Sequence, residues 1–188
     1  MKIRLSKSSI SNLEKKAVMR ILNKQFLGMG PEVREFEKDL TKYFKRYVSL
    51  VNTGTSAIQL CLEGLNIGLT DEVLAPSITY LSSYQAISAT GAKPISVDIN
   101  PLTGNMSIES AKKQISKKTR AILWVHYAGD ASGFLECQKF CNKMNIHLIE
   151  DAAHAFGSKL DYIKIGCLGK YTCFSFDGVK NITSGEGG

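Results

Sequence analysis

The chain has 188 residues, of which 44% are hydrophobic and 22% are charged, a composition typical of soluble globular proteins. Its basic start is followed by no apolar run of signal-peptide length, and no stretch could span a bilayer, so we expect a cytoplasmic protein without a membrane partner. The net charge of +7 favours anionic ligands, but the lysines are scattered over predicted helix faces without interleaved aromatic residues. A nucleic-acid partner is therefore not expected.

Two amphipathic helices are predicted at the N-terminus. Residues 11–14 (Ser-Asn-Leu-Glu) read as a capping box, and apolar residues at helical spacing continue from it to about Lys24. Gly28 and Gly30 interrupt this helix, and Pro31 opens a second helix with its own apolar face. We interpret residues 1–45 as an N-terminal helical segment.

A turn suited to phosphate follows. A strand is predicted over residues 47–51, and Asn-Thr-Gly-Thr-Ser at residues 52–56 leads from it into a helix that ends before Gly68. The free N–H groups and positive dipole at the start of a helix bind anions. The turn has neither the lysine of a Walker loop nor the glycine spacing of a Rossmann fingerprint, which disfavours nucleoside triphosphates and dinucleotides.

Strands and helices then alternate along the chain. Strands are predicted over residues 71–75, 93–99, 121–126 and 146–149, with helices from about Thr79, from about Ser107 and around Phe140. This order predicts an α/β fold of three layers, in which helices cover both faces of a mostly parallel sheet. Ligands in such folds bind at the carboxyl ends of strands, where Asp151 lies.

The last stretch carries the candidate nucleophile. A hairpin over residues 157–165 and a strand over residues 171–176 precede Lys180, which enters a glycine-rich loop. A loop lysine is more often a solvated charge, and a strand-end aspartate is often only a helix N-cap. A phosphate-binding turn, a strand-end aspartate and a lysine, taken together, are the parts of a pyridoxal phosphate site.

Five sequence pieces resemble the DegT/DnrJ/EryC1/StrS sugar aminotransferases, which are fold-type I pyridoxal phosphate enzymes. They occur in the family's order and cover nearly the whole chain, over residues 53–57 (Thr-Gly-Thr-Ser-Ala), 76–80 (Pro-Ser-Ile-Thr-Tyr), 125–129 (Val-His-Tyr-Ala-Gly), 150–155 (Glu-Asp-Ala-Ala-His-Ala) and 174–188, which includes Lys180 and ends in Gly-Glu-Gly-Gly. One such piece would be weak evidence, whereas five in register are specific. The resemblance implies the large-domain fold of these enzymes over residues 46–188.

The resemblance also implies the roles of individual residues. Lys180 is implied to be catalytic and to bond covalently to the cofactor, pyridoxal 5'-phosphate. The implied cofactor-binding residues are Gly54, Thr55, Ser56 and Ser175 at the phosphate, Tyr80 stacked on the pyridine ring, Asp151 at the ring nitrogen, His154 beside the ring, and Lys180 itself. For Tyr80 and His154, ordinary packing is the alternative, and Glu150 is expected to be structural.

One residue departs from the family pattern. Asp177 stands where the relatives usually carry histidine or an aromatic residue, three positions before Lys180. A carboxylate that points inward could raise the pKa of the lysine. Asp177 therefore puts the efficiency of the site in doubt.

The resemblance implies amino transfer from glutamate to a nucleotide-linked ketosugar. It also implies a homodimer with shared active sites. Relatives with histidine at the position of Lys180 are dehydratases, so the lysine favours amino transfer. Members of the family are about twice as long, so we expect an N-terminal piece that lacks the C-terminal small domain.

Two other functions stay open at this point. The chain could be a truncated, catalytically incompetent fragment that retains at most cofactor binding, because its relatives complete the site with residues of the partner subunit and of the missing half. A nucleic-acid-binding module would explain the basic charge, but no motif supports it.

The five cysteines show no paired spacing. Cys137 and Cys141 lie one helical turn apart with His147 nearby, which could form the corner of a metal site. Two such ligands without a second pair are poor support for a metal, and free thiols are the preferred interpretation.

Overall fold

The computed structural model describes residues 7–188, which divide into two compact units, one ending at Leu50 and the other running from Val51 to Gly188. The first six residues, where the sequence predicts no signal peptide, lie outside the described part. No helix within residues 7–188 combines the length and the apolar character needed to cross a membrane.

The first unit contains the two predicted helices, α1 (Asn12–Asn23) and α2 (Pro31–Phe44). The capping box is present, since the Ser11 hydroxyl accepts from the Leu13 N–H and the Glu14 carboxylate accepts from the Ser11 N–H. The second helix ends at Lys45, whose left-handed backbone (φ 54°) stops the helical turn.

The second unit is the α/β part of the molecule. Its elements in chain order are α3 (Gly54–Gly64), β1 (Glu72–Pro76), α4 (Leu81–Ala89), β2 (Lys93–Val97), α5 (Ile108–Gln114), β3 (Thr119–Val125), α6 (Phe134–Met144), β4 (His147–Asp151), β5 (Lys159–Leu160), β6 (Ile163–Lys164) and β7 (Tyr171–Cys173). Five strands form a parallel sheet in the order β2-β1-β3-β4-β7, and β5 and β6 form the predicted antiparallel hairpin.

Apolar cores lie on both faces of the sheet. Val73 packs with α3 and α4 on one face, whereas its neighbour Leu74 packs with α5 and α6 on the other. Trp124 and Phe134 meet edge to face in the second core, with ring centroids 6.4 Å apart. The three-layer α/β fold predicted from the sequence is therefore confirmed.

Several predicted boundaries were wrong. Strand β2 ends at Val97 rather than at residue 99, and β4 continues to Asp151 rather than ending at residue 149. Residues 47–51 do not form a strand in the described structure. Val51 is the one residue among them whose backbone pairs with the last segment of the chain, through two hydrogen bonds with Gly188 of 2.9 and 3.0 Å. Strand β7 ends at Cys173 rather than at residue 176, after its carbonyl accepts from the Ala152 N–H. Helix α4 begins at Leu81, two residues later than expected, with Tyr80 as its N-cap.

Candidate active site

A cavity of about 370 Å³ opens at the carboxyl ends of β3, β4 and β7. The first turn of α3, the start of α4 and the loop after β7 complete its wall. Its size falls within the range of small-molecule and cofactor sites, about 300–1,000 Å³. Seven of the predicted site residues line it, namely Gly54, Thr55, Tyr80, Asp151, His154, Ser175 and Lys180.

Ser56 is the predicted site residue that does not line this cavity within the described chain. Its hydroxyl lies 3.0 Å from the Thr53 hydroxyl, and its N–H donates to the same Thr53 oxygen at 3.0 Å. Thr53 is thus the N-cap of α3, and it lines the cavity itself. Ser56 therefore hydrogen-bonds the N-cap residue, whereas Thr53 lines the cavity.

The start of α3 lies directly against the chain that follows β7. A Cβ atom on Gly54 would stand 3.0 Å from the Ser175 Cβ and 3.2 Å from the Phe174 carbonyl oxygen, closer than side chains normally approach. Only glycine lets the two backbones come together here. As a result, the Ser175 hydroxyl and the positive end of α3 share one corner of the cavity.

Asp151 ends β4 and is 5% exposed. One carboxylate oxygen accepts from the Ser83 hydroxyl at 3.0 Å, and the other accepts from the Ala153 N–H at 3.1 Å. Two donors, one on each oxygen, hold this buried carboxylate in one orientation. The cavity therefore has a fixed negative charge in its wall.

Lys180 lies on a turn that two neighbouring residues hold in place. Its N–H donates to the Asp177 carbonyl at 3.0 Å, and the Asn181 amide donates to the Phe156 carbonyl at 2.7 Å. The ammonium of Lys180 lies 5.9 Å from the centre of the Tyr80 ring, within the range of a cation–π contact. The amine and the aromatic ring thus flank the same space.

His154 is exposed at the rim of the cavity, with its ring 6.4 Å from that of Tyr127 in an edge-to-face arrangement. Partial burial lowers the pKa of His154, and the positive charge of Lys180 lowers this pKa further, while Asp151 opposes the shift. The imidazole is consequently neutral near pH 7 and gains its proton only in acid.

The carboxylate of Asp177 forms a hydrogen bond within its own turn. One of its oxygens accepts from the Val179 N–H at 2.8 Å, which closes the turn before Lys180. No ion pair joins Asp177 to Lys180 within residues 7–188. Although Asp177 lines the cavity, its hydrogen bond makes it a turn residue in this structure.

Glu150, next to Asp151, belongs to a separate buried network. It lies 2.8 Å from the Nε2 atom of His126 and also accepts from the Thr172 hydroxyl at 2.7 Å and from the Gly169 N–H at 3.1 Å. His126 and Glu150 are both completely buried. The network links the residue after β3 with β4, with β7 and with the segment before β7, so the contacts of Glu150 are those of a structural residue.

The cysteines are not grouped with other candidate metal ligands within residues 7–188. All five are free, and within the described residues no group of three histidine, cysteine or acidic side chains is placed to hold a metal ion. The Sγ atoms of Cys137 and Cys141 lie 4.0 Å apart in the core. Contact with Cys141, together with burial, raises the pKa of Cys137, so it remains a thiol rather than a metal-binding thiolate.

The residues around the cavity fit pyridoxal phosphate. One corner offers a helix N-terminus and two hydroxyl side chains to a phosphate, and the close backbone approach at Gly54 keeps that corner narrow. The buried Asp151 carboxylate suits a protonated pyridine nitrogen, and Lys180 supplies a primary amine. Anion donors, a carboxylate and an amine are the complementary groups for this cofactor.

The sequence alone missed several residues of this site. Thr79 lines the cavity, and Ser83 hydrogen-bonds both Thr79 and Asp151. Both hydroxyls lie one helical turn apart near the start of α4, a spacing that could have indicated a pair. Glu186 also lines the cavity, and only its glycine-rich surroundings mark it in the sequence.

Comparison with known proteins identifies the family. The sequence model of a protein family, described as the DegT/DnrJ/EryC1/StrS aminotransferase family, matches residues 8–188. The chain belongs to this aminotransferase family. The similarity to the family that five sequence pieces indicated is thereby confirmed.

Two curated relatives illustrate the similarity in sequence. GDP-perosamine synthase of Escherichia coli O157:H7 is 37% identical over 96% of this chain and 50% of its own length. The dTDP-3-amino-3,4,6-trideoxy-alpha-D-glucose transaminase of Streptomyces venezuelae is 36% identical over 92% of this chain and 46% of its own length. The chain described here thus spans about half the length of the curated relatives that it matches.

Solved structures share the fold. Spr1654 of Streptococcus pneumoniae, assigned as a sugar aminotransferase and determined in its PLP form, superimposes with a TM-score of 0.92 at 30% identity. The alignment covers 100% of this chain and 52% of that protein. The parallel sheet and its flanking helices are therefore those of an aminotransferase of this family.

Proposed function

We propose that this protein takes part in the transfer of an amino group, from glutamate, to a nucleotide-linked ketosugar with pyridoxal phosphate as cofactor. The observation that carries the proposal is the meeting of Lys180, the buried carboxylate of Asp151 and the N-terminus of α3 around one cavity. These three groups come from distant parts of the sequence, and together they complement the amine-reactive, cationic and phosphate parts of the cofactor.

The phosphate would be held by the start of α3. The first N–H groups of a helix have no acceptor within the helix, so those near Gly54 and Thr55 are suited to phosphate oxygens. The hydroxyls of Thr55 and Ser175 add donors from two sides of the same corner. Ser56 would contribute through the cap it forms with Thr53.

When bound, pyridoxal phosphate supplies an electron sink that stabilises negative charge on the carbon next to the transferred nitrogen. Asp151 would favour a proton on the pyridine nitrogen, because two hydrogen bonds hold its carboxylate in one orientation in the cavity wall. Lys180 would hold the cofactor covalently before the amino donor arrives. Once the nitrogen of the donor has replaced the lysine nitrogen in that bond, the freed amine of Lys180 would take the proton from the α-carbon of the donor. Tyr80 would cover one face of the ring, and His154, being neutral, would approach it from the rim.

The choice of acceptor draws on the relatives. The two named above carry GDP-linked and dTDP-linked sugar names, and the acceptor proposed here is a sugar of that class. We also propose that residues 46–188 are part of a cofactor-binding domain, that residues 1–45 form a separate helical segment, and that a cytoplasmic homodimer shares its sites. Sedimentation of the purified protein tests the dimer.

The absorption spectrum of the purified protein with added pyridoxal phosphate tests the proposal. We expect a visible band that is absent from Lys180→Ala and that glutamate bleaches in the wild type, since an amine bonded to the cofactor absorbs in the visible region. Lys113→Ala is the matched control, because Lys113 is exposed on α5 and lies outside the cavity lining.

Three results separate the alternatives. A band that requires Lys180 and is bleached by glutamate supports amino transfer. A band that requires Lys180 but does not respond to glutamate indicates cofactor binding without the first half of the reaction. A spectrum identical in wild type and Lys180→Ala refutes the assignment of Lys180.

A further inference from the structure

Two hydroxyl groups, joined by a hydrogen bond, lead to the buried carboxylate of Asp151. The Ser83 hydroxyl lies 3.0 Å from one carboxylate oxygen, and the Thr79 hydroxyl lies 2.8 Å from the Ser83 hydroxyl. Ser83 is completely buried in α4, whereas Thr79 lines the cavity. These two hydrogen bonds therefore connect Thr79 in the cavity wall to one oxygen of the Asp151 carboxylate.

The direction of these hydrogen bonds follows from counting protons. An ionised carboxylate can only accept, so Ser83 must donate to Asp151. A hydroxyl has a single proton, so Ser83 can only accept from Thr79. Each bond polarises the next one, and the donor that reaches Asp151 is stronger than an isolated serine would be.

We propose that Ser83, supported by Thr79, is a positioning residue that keeps Asp151 ionised and aimed at the pyridine nitrogen. This role rests on the proposed function, because it acts on the cofactor only through Asp151. The Ala153 N–H reaches only the other oxygen, so without Ser83 one oxygen of Asp151 loses its donor.

The hydrogen bond from Ser83 affects the proton that is shared between the Asp151 carboxylate and the pyridine nitrogen. A donor to the carboxylate stabilises the ionised form, and the ionised form favours a proton on the pyridine nitrogen. When that donor is lost, the carboxylate competes better for the proton. The proton distribution should shift towards the carboxylate by roughly ten- to a hundredfold, the effect expected for one hydrogen bond to a charged group.

The test uses the protein reconstituted with pyridoxal phosphate labelled with ¹⁵N in the ring. The ¹⁵N chemical shift reports whether the ring nitrogen carries a proton, and it requires no turnover. We expect the protonated shift in the wild type and a clear move towards the neutral shift in Ser83→Ala. Thr79→Val, which removes only the second hydroxyl, should move the signal in the same direction by less.

Two further variants keep the result interpretable. Ser83→Cys preserves the size of the side chain but offers a weak donor, so it should fall between wild type and Ser83→Ala, and it replaces the alanine variant if that variant does not fold. Ser88→Ala is the matched control, because Ser88 is exposed on the same helix and lies outside the cavity lining. It should retain the wild-type shift.

The outcomes distinguish this role from the proposed function. A wild-type ¹⁵N shift in folded Ser83→Ala, or in Ser83→Cys if the alanine variant does not fold, overturns the role of Ser83 while leaving amino transfer intact. A wild-type protein that forms no band dependent on Lys180 overturns the proposed function and the role of Ser83 with it.

Discussion

Gly54→Ala should weaken both the fold and the phosphate corner. The new methyl group would lie 3.0 Å from the Ser175 Cβ and 3.2 Å from the Phe174 carbonyl oxygen. Ordinary contact begins at 3.4 Å, so the start of α3 and the chain after β7 must separate by about 0.4 Å. The contacted atoms belong to the backbone or lie next to it, so a simple side-chain rotation cannot relieve the overlap.

Two opposing effects set the magnitude. Replacing glycine by alanine in a helix stabilises by roughly 0.5–1 kcal/mol, whereas overpacking a tight site destabilises by roughly 1–3 kcal/mol. The clash prevails because it involves backbone atoms on the opposite side. We therefore expect a net loss of about 0.5–2 kcal/mol in the free energy of unfolding.

Gly64→Ala is the matched control for this effect. Gly64 is exposed at the end of the same helix, and a Cβ atom there would meet nothing within 4 Å. Urea denaturation should show stabilisation for this variant and destabilisation for Gly54→Ala. Titration with pyridoxal phosphate should show weaker binding only for Gly54→Ala. The reasoning is refuted if Gly54→Ala is as stable as Gly64→Ala and binds the cofactor like the wild type.

Three further substitutions test other parts of the site. Lys180→Ala should raise the pKa of His154, because it removes a positive charge that lowers this pKa, and an NMR titration of the ring that shows no rise would contradict the assignment. Glu150→Ala should lower the free energy of unfolding by about 2 kcal/mol or more, since it removes the hydrogen-bond partner of buried His126 and the acceptor of the Thr172 hydroxyl, and a loss under about 1 kcal/mol in urea denaturation would show that the network contributes little. Asn181→Ala should speed amide hydrogen exchange in the loop that carries Lys180, because it removes the 2.7 Å bond that fixes this loop, and unchanged exchange would exclude that anchoring role.

The sequence predicted the order of helices and strands well because the chain alternates in a regular way. Burial on both sheet faces leaves apolar runs such as that of β3, and capping residues such as Ser11 mark helix starts. The failure at residues 47–51 has a physical cause. Those residues have the composition of a strand, but pairing is a property of two segments, and Val51 alone finds a partner, at Gly188.

Seven of the residues that line the cavity are among those that the family resemblance implied, and the local pattern places Asp151 at the end of one strand and Lys180 after another. The roles of Thr53 and Ser56 were not separable, because which hydroxyl caps a helix depends on backbone angles. The bond between Ser83 and Asp151 joins residues 68 positions apart. No local pattern encodes such a contact, which arises only when α4 packs on the sheet.

The cavity draws its walls from residues 53 to 186, so almost the whole second unit must fold before any binding site exists. A ligand that occupies it can bind only the folded state, and it shifts the folding equilibrium by RT ln(1 + [L]/Kd). At a ligand concentration of 100 Kd this amounts to about 2.7 kcal/mol, a large part of the stability of an ordinary domain. If pyridoxal phosphate is that ligand, as proposed above, the supply of cofactor in the cell would influence how much of this protein survives proteolysis.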